Sequence, residues 1–468
     1  MCSDKKLFRT LLSIILISML FIQGYANVSA IEQEPKTPGL TVSTFDIDVT
    51  PPVGSFLSYD PNVNSWDLGL RAKGIVLSGA GQPVVLVAID WLGIDGESYN
   101  AFRTAVANGA GTIPSRVAVQ TLHQHDAPRS NFAAERILNN AGLKPETYEG
   151  TFQREVIKRL EVSVKNCLKN GSAVTHIGFG EAQVFKVASN RRILDDNGKV
   201  RAGRMTTCRD SLIRAEPEGV IDPMVSVISF WNNSKPVAVL SYYATHPQSY
   251  YRLGVANPDY PGVARFYRQL AVPDALHIHF TGAGGNVGAG KYNDGSHENR
   301  GILAERLADG MKRAWESTKI EPLIASQVEW SVVPVLLPLP ESIKKIKSEI
   351  NLKDTTLLRA NAKKIAWLQR SEKGEKLDIS CLSLGRARIL NMPGELFVEY
   401  QLAAKAMRPD LFVAMAAYGD SDPAYIGTAL SYDQGGYEIG VSNVTNEAEG
   451  IIMAAISKLL KSNQKGKH

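Results

Sequence analysis

Runs that read as strands and runs that read as helices take turns along nearly the whole chain after residue 30, and that alternation restricts the fold more than any other feature. Apolar, β-branched segments at residues 83–89, 116–120, 224–230, 236–242, 276–280, 386–390 and 411–416 have the length and content of strands. Between them, residues 96–107, 145–170, 259–270, 299–317 and 340–369 have helical spacing, and a last amphipathic helix is expected over 446–460. Strands separated by helices need those helices to cover the sheet. The expected class is therefore α/β, with at least one mixed or parallel sheet. The polar stretch 341–374, rich in Lys and Glu, is expected as a solvated helical excursion on the outside of the domain.

Length alone would allow two or three domains. No Ser/Gly/Pro-rich linker, block of charge, internal repeat or low-complexity tract divides residues 31–468, so one large domain is expected there. Hydrophobic residues at 44% supply enough material for a large core. Residues 1–30 read differently. Lys5, Lys6 and Arg9 precede an apolar run from Leu11 to Ile22, and Val28, Ser29 and Ala30 offer a small-residue cleavage site. That order is a secretory signal peptide, and its apolar run is short for a membrane span. The protein is expected to be exported, secreted or periplasmic, with no integral membrane span once the signal is removed. The net charge of +5 includes the signal and the basic tail 458–468, and no helix carries a Lys/Arg stripe. Nucleic acid is therefore not an expected partner. Cys167, Cys208 and Cys381 are too widely spaced for a zinc motif; one disulfide with a free thiol is compatible with export, and the pairing stays open.

The chemistry lies where predicted strands stop, which is where α/β proteins usually hold ligands and metals. His123 and His125 fall just past the strand 116–120, and their i, i+2 spacing turns both imidazoles to one side. His246 follows the strand 236–242, Glu395 follows 386–390, and Tyr425 lies in the loop after 411–416. Imidazoles, a carboxylate and a phenol or water make the mixed nitrogen and oxygen set that zinc accepts. The strand 276–280 opens into a glycine-rich loop whose Gly284–Gly290 amides could stabilise an oxyanion. This loop lacks the Gly-Lys-Ser/Thr ending of a nucleotide phosphate loop. Asp126 could orient an imidazole or cap the helix that follows. His277 and His279 alternate with Leu276 and Ile278 and are expected to be structural.

In this order the segments resemble the neutral, non-lysosomal ceramidase family. Thr121-Leu-His123-Gln-His125-Asp-Ala-Pro128 is similar to that family's metal-binding Thr-His-Thr-His-Ser-Gly-Pro, and Tyr243-Ala-Thr-His246-Pro247 to its second histidine segment. Pro393-Gly394-Glu395 resembles the segment of its metal glutamate, and Tyr425-Ile-Gly-Thr428 that of its metal tyrosine. Tyr437 stands where the family has a second active-site tyrosine, and Asn190-Arg191 where it has a substrate-contacting pair. The similarity runs from residue 46 to Glu438. Two departures stand out. The family's catalytic serine lies in Asn-Val-Gly-Asp-Val-Ser-Pro-Asn, whereas this chain reads Asn286-Val-Gly-Ala-Gly-Lys291-Tyr-Asn293, with Lys291 in the serine's place. The chain also ends soon after Tyr437, so the family's C-terminal β-sandwich is not expected.

The resemblance implies a neutral ceramidase-like catalytic domain with mixed sheets and an exported, zinc-dependent hydrolase that cleaves an amide or ester bond with a zinc-activated water. Zn2+ would be held by His123, His246, Glu395 and Tyr425. His125 and Tyr437 would assist catalysis, with direct coordination by His125 equally open, and Asn190, Arg191 and Asn286 would bind substrate. Lys291, flanked by glycines, is expected in the pocket as a cation or proton donor, which fits a small-molecule or lipid-like substrate with an anionic part. Ceramide cleavage itself is not expected. A non-catalytic metal-binding homologue and a ceramidase working without the serine are the alternative readings.

Overall fold

Three times along the chain, an antiparallel meander of three strands is followed by a helix and a fourth strand laid parallel to the third. The computed structural model that shows this describes residues 39–64, 68–349 and 354–461, all within one compact unit. The segment read as a signal peptide lies outside the described residues. The first repeat is β1 (Thr41–Asp48), β2 (Arg71–Ser78), β3 (Val84–Ile89), α1 (Gly96–Ala110) and β4 (Val117–Thr121). After α2 (Thr151–Cys167), the short β5 (Ser172–Ala173) returns to pair with β1, giving the order β4-β3-β2-β1-β5.

The second repeat is β6 (His176–Gln183), β7 (Met224–Asn232), β8 (Lys235–Tyr243), α3 (Asp259–Ala271) and β9 (Leu276–Thr281). After α4 (Glu298–Glu316), β10 (Lys319–Pro322) again returns to the first strand, so the order is β9-β8-β7-β6-β10. The third repeat is β11 (Val328–Val335), α5 (Thr355–Glu372), β12 (Leu377–Leu384), β13 (Ala387–Asn391), α6 (Val398–Met407) and β14 (Phe412–Ala416), closed by α7 (Ala448–Lys461). In each sheet the parallel pair needs its helical crossover, since no tight turn can join parallel neighbours. The fold is the expected α/β class with mixed sheets. Its threefold repetition is not legible in the sequence, because strand pairing demands apolar periodicity and not residue identity.

The inner faces of the three sheets share one core. Ile75 and Leu86 of the first sheet, Ile228 and Leu240 of the second, and Leu382 and Ile389 of the third belong to a single buried cluster. Each outer face is covered by its own helices: Phe102 and Leu160 over the first sheet, Ala264 and Leu303 over the second, Trp367 and Ile456 over the third. Strands buried on both faces become continuous apolar runs, as in Val84–Ile89, where every residue is buried. The strands missed by the sequence reading are the more mixed ones, such as Arg71–Ser78 and the half-exposed Val328–Val335.

The polar segment 341–374 corrects an expectation. It is not a solvated excursion, because Leu358, Ala362, Ile365 and Trp367 of α5 form a buried stripe in the third core. Of the charged residues in this helix, Lys363 turns inward to pair with Asp95 at 2.9 Å. Cys167, Cys208 and Cys381 are all free thiols. Among the described residues no helix is long and apolar enough to cross a membrane.

The carboxyl ends of the three fourth strands are tied together. The amide of Thr121 donates to the carbonyl of Tyr418 at 2.9 Å, and the amide of Ala417 donates to the carbonyl of Thr281 at 2.9 Å. The Thr281 hydroxyl closes the ring by donating to the carbonyl of Leu122 at 2.8 Å. The chain thus leaves β4, β9 and β14 at one place, and β8 and β13 deliver their loops beside it.

Candidate metal centre

His123, His125 and His246 meet at this junction, all three buried, with ligand atoms lying within 4.8 Å of one another. Imidazole centroids are 4.8 Å apart for His123 and His246 and 5.2 Å apart for His125 and His246. His123 has a left-handed backbone at φ 69°, as do Tyr418 at 61° and Ala424 at 54°. Non-glycine residues seldom adopt that conformation, and such strain collects at functional sites. The Nδ1 of His123 lies 2.6 Å from the carbonyl oxygen of Leu92. A carbonyl can only accept, so Nδ1 carries a proton, and Nε2 is the ring atom turned to the centre.

That nitrogen faces a carboxylate. Oε2 of Glu395 lies 3.2 Å from Nε2 of His123, yet it is buried with no hydrogen-bond partner. Nδ1 of His125 is likewise buried and unpartnered. Burial pushes the Glu395 carboxyl up, but His123, the Tyr425 hydroxyl and Arg191 outweigh it and hold the group below its ordinary range. Burial, followed by the charges of His123 and Arg191, holds His125 and His246 well below the usual histidine value. Neutral imidazoles on His125 and His246 and an ionised carboxylate on Glu395 are the protonation states a metal ion requires. Buried acceptors left facing one another are costly unless a cation lies between them. The donor set fits zinc.

The residues expected at the site fall into two groups. Glu395 and Tyr425 are partners in a short parallel bridge, and the Tyr425 hydroxyl accepts from Arg191 at 3.2 Å while meeting Glu395. Arg191 is buried, pairs with Glu438 at 3.3 Å, and lies 5.7 Å from the rings of both Tyr425 and Tyr437. Tyr437, half-exposed, packs edge-on to Tyr425. His123, His125, Glu395, Tyr425 and Tyr437 line one cavity of about 100 Å³. Tyr59, Asp95, Arg129 and Lys363 line it too. Sequence reasoning missed those four: Tyr59 and Asp95 sit in loops and Lys363 on α5, while Arg129 lies in the two-residue strand Arg129–Ser130 just past the histidine segment, the one usable signal.

Asn190, Asn286 and Lys291 are not brought into that lining. Asn190 donates to the carbonyl of Val220 and accepts from the amide of Arg192. Asn286 accepts from the amide of Val398, the first residue of α6, and donates to Glu399. Lys291 turns its ammonium to the carbonyls of Arg214, Ala215 and Glu216 at 2.9, 3.2 and 2.5 Å. Those carbonyls end the short helix Ser211–Ala215, where a cation satisfies groups left without helical partners. Asp126 pairs with Arg300, and the helix Phe132–Asn140 is capped by Asn131 instead.

The glycine-rich loop also does something other than expected. The amides of Gly285 and Val287 already donate to the carbonyls of Leu396 and Gly284, so they are not free for an oxyanion. A Cβ on Gly285 would come closer than 3.0 Å to the carbonyl of Glu395, and one on Gly284 would lie 2.7 Å from the carbonyl carbon of Thr245. These glycines let the backbone beside His246 and the backbone of Glu395 pack together.

His277 and His279 lie on β9, outside the trio. Burial first, then neighbouring cations, brings both down to about 3. A histidine with a lower pKa folded than unfolded costs stability as pH falls through about 6.5 toward 3, because the unfolded chain takes up a proton that the fold refuses. Each adds a slope of up to about 1.4 kcal/mol per pH unit. Between pH 6.5 and 4.5, His279→Asn should lose stability less steeply than the natural protein in denaturant titrations. Parallel curves would show that His279 is protonated in place.

No protein-family model matches the chain, and no curated protein matches it. Solved structures do. One is a ceramidase complexed with C2, with a TM-score of 0.64 and 14% identity over 91% of this chain and 76% of that one. Another is the neutral ceramidase from Pseudomonas aeruginosa, with a TM-score of 0.62 and 16% identity over 91% of this chain and 75% of that one. The chain has the neutral ceramidase fold.

Proposed function

We propose that this protein is an exported, zinc-dependent hydrolase that cleaves an amide or ester bond in a small, lipid-like molecule. One observation carries the reading: His123, His125 and His246 converge on one buried point beside Glu395, and Nδ1 of His125 and Oε2 of Glu395 are left there without a hydrogen-bond partner. His123, His125, His246 and Glu395 would hold the ion, with Tyr425 beside Glu395. A zinc ion would supply such a site with Lewis acidity and lower the pKa of a water toward about 7. The protein's own residues do the rest. Leu92 fixes the tautomer of His123, and Arg191 holds Tyr425 in place against Glu395. Tyr437, at the cavity's exposed side, is placed to hydrogen-bond the substrate carbonyl or its leaving group. Lys291, in the frame of the ceramidase serine, is engaged with a helix end, and long-chain ceramide is not the expected substrate.

Elemental analysis should find one zinc per chain, and a chelator should abolish cleavage of a panel of N-acyl amides, esters and lactones. Absence of metal, or cleavage that survives chelation, would overturn the reading, as would zinc without any turnover. Tyr437→Phe should lower turnover on the order of a hundredfold with metal content unchanged, in line with loss of a proton-transfer or hydrogen-bonding group. Normal turnover in that variant would reduce Tyr437 to packing.

A further inference from the structure

One cation in the cavity wall makes no direct ion pair with a carboxylate among the described residues. Five buried arginines, Arg103, Arg191, Arg265, Arg300 and Arg370, each reach a carboxylate oxygen within 3.3 Å, and buried Arg204 is satisfied by backbone carbonyls instead. Arg129 reaches no carboxylate among the described residues, and its Nε is buried without a hydrogen-bond partner. Its guanidinium lies 5.8 Å from the ring of Tyr59 and 5.9 Å from that of Tyr148, whose hydroxyl it meets. Aromatic faces orient a guanidinium without neutralising it, and Asp95, which also acts on Arg129, is already paired with Lys363, so the partly buried charge keeps capacity for an anion. The backbone of Arg129 is fixed by its bridge to Gly93 and by Gln153, which donates to its carbonyl at 3.0 Å. Tyr59 in turn stacks on His125 at 5.3 Å, so the cation and the histidines wall one small space. Lys363, the other cation of the lining, is already paired with Asp95 at 2.9 Å.

We infer that Arg129 anchors an anionic group of the substrate, and that the site selects acyl compounds bearing a carboxylate or phosphate close to the scissile bond. The inference rests on the hydrolase reading of the same cavity. With only about 100 Å³ available, the anion and the scissile carbonyl must share one compact part of the molecule. Any acyl chain must then leave past Tyr59 and Tyr437, which are 39% and 54% exposed. A planar guanidinium held between rings suits an oxyanion better than an ammonium would, through paired N–H donors.

The test is calorimetric titration of the full chain, zinc-loaded and chelator-treated, with N-octanoylglycine, its neutral amide, and N-octanoyl-O-phosphoethanolamine. At least one anion should bind roughly ten- to a hundredfold more tightly than the amide, as a charge-assisted contact gives, and the preference should persist without metal. Whichever anion is favoured identifies the oxyanion. Arg129→Gln should bring that anion down to the amide's affinity while zinc content stays normal. Arg129→Lys, which keeps the charge but loses the planar fork, should retain part of the preference and serves if the glutamine variant fails to fold. Equal affinities in the natural protein, or a preference that survives Arg129→Gln, would overturn the inference. Zinc-dependent cleavage of p-nitrophenyl octanoate without any anion preference would sink this inference alone. An Arg129-dependent preference in a protein that cleaves nothing would sink the hydrolase reading alone.

Discussion

His246→Ala is expected to strip the metal from the protein and turnover with it. The imidazole of His246 stands 4.8 Å from that of His123, centroid to centroid, and the methyl group of alanine offers no donor to replace it. Loss of an outer hydrogen-bonding partner at a metal site costs about 10–100-fold in affinity, and loss of a ligand should exceed that. Zinc measured after dialysis should fall below stoichiometry, and hydrolysis should not recover on adding metal at micromolar concentrations. His277→Ala is the control. Both histidines are buried, yet His277 lies on β9 away from the trio, so its removal should leave zinc content unchanged. Equal loss of metal from the two variants would mean that the centre has been misplaced.

The second large effect is expected from Gly285→Ala, a change of one methyl group. That methyl would press on the carbonyl of Glu395 and lie 3.0 Å from the carbonyl of Leu396, both backbone atoms with little freedom to yield. Overpacking of this kind costs about 1–3 kcal/mol. Here it should also displace Glu395, so zinc affinity should fall together with the melting temperature. Gly301→Ala separates the local effect from the general one. Gly301 is in α4 with nothing within 4 Å of an added Cβ, and alanine there should be neutral or stabilising by about 0.5–1 kcal/mol. If Gly285→Ala kept full stability and metal while losing only turnover, the loop would be serving catalysis directly and the packing account would fail.

Strands with clean apolar runs, such as Val84–Ile89 and Phe412–Ala416, were legible because burial on both faces leaves a local mark in composition. Arg71–Ser78 and Val328–Val335 were not, because Lys73 and Glu329 interrupt the run for reasons set by neighbours in space. Lys73, for example, is buried but paired with Asp46 at 3.0 Å. The helix at Thr355–Glu372 was legible as a helix and misjudged as solvated, since the Lys and Glu residues of the wider segment 341–374 masked the apolar stripe that enters the core.

By itself the sequence determined what is local: an α/β chain, the strand ends that carry His123, His246 and Glu395, and the likeness to the ceramidase fold. Those follow from periodicity and from short motifs, which need no knowledge of what lies opposite. Tertiary structure alone decided that three repeated units bring β4, β9 and β14 to one junction, and so which side chains share a cavity. It drew His125 into the histidine trio and added Tyr59 and Arg129. It also turned Lys291 to a helix end and engaged Asn286 with α6. A side chain's role there depends on the polar group it meets across the packed sheets, and that partner is 75 residues away for Lys291 and 112 for Asn286. No pattern within a single segment encodes such a meeting, because it is the packing of the three sheets on a common core that creates it.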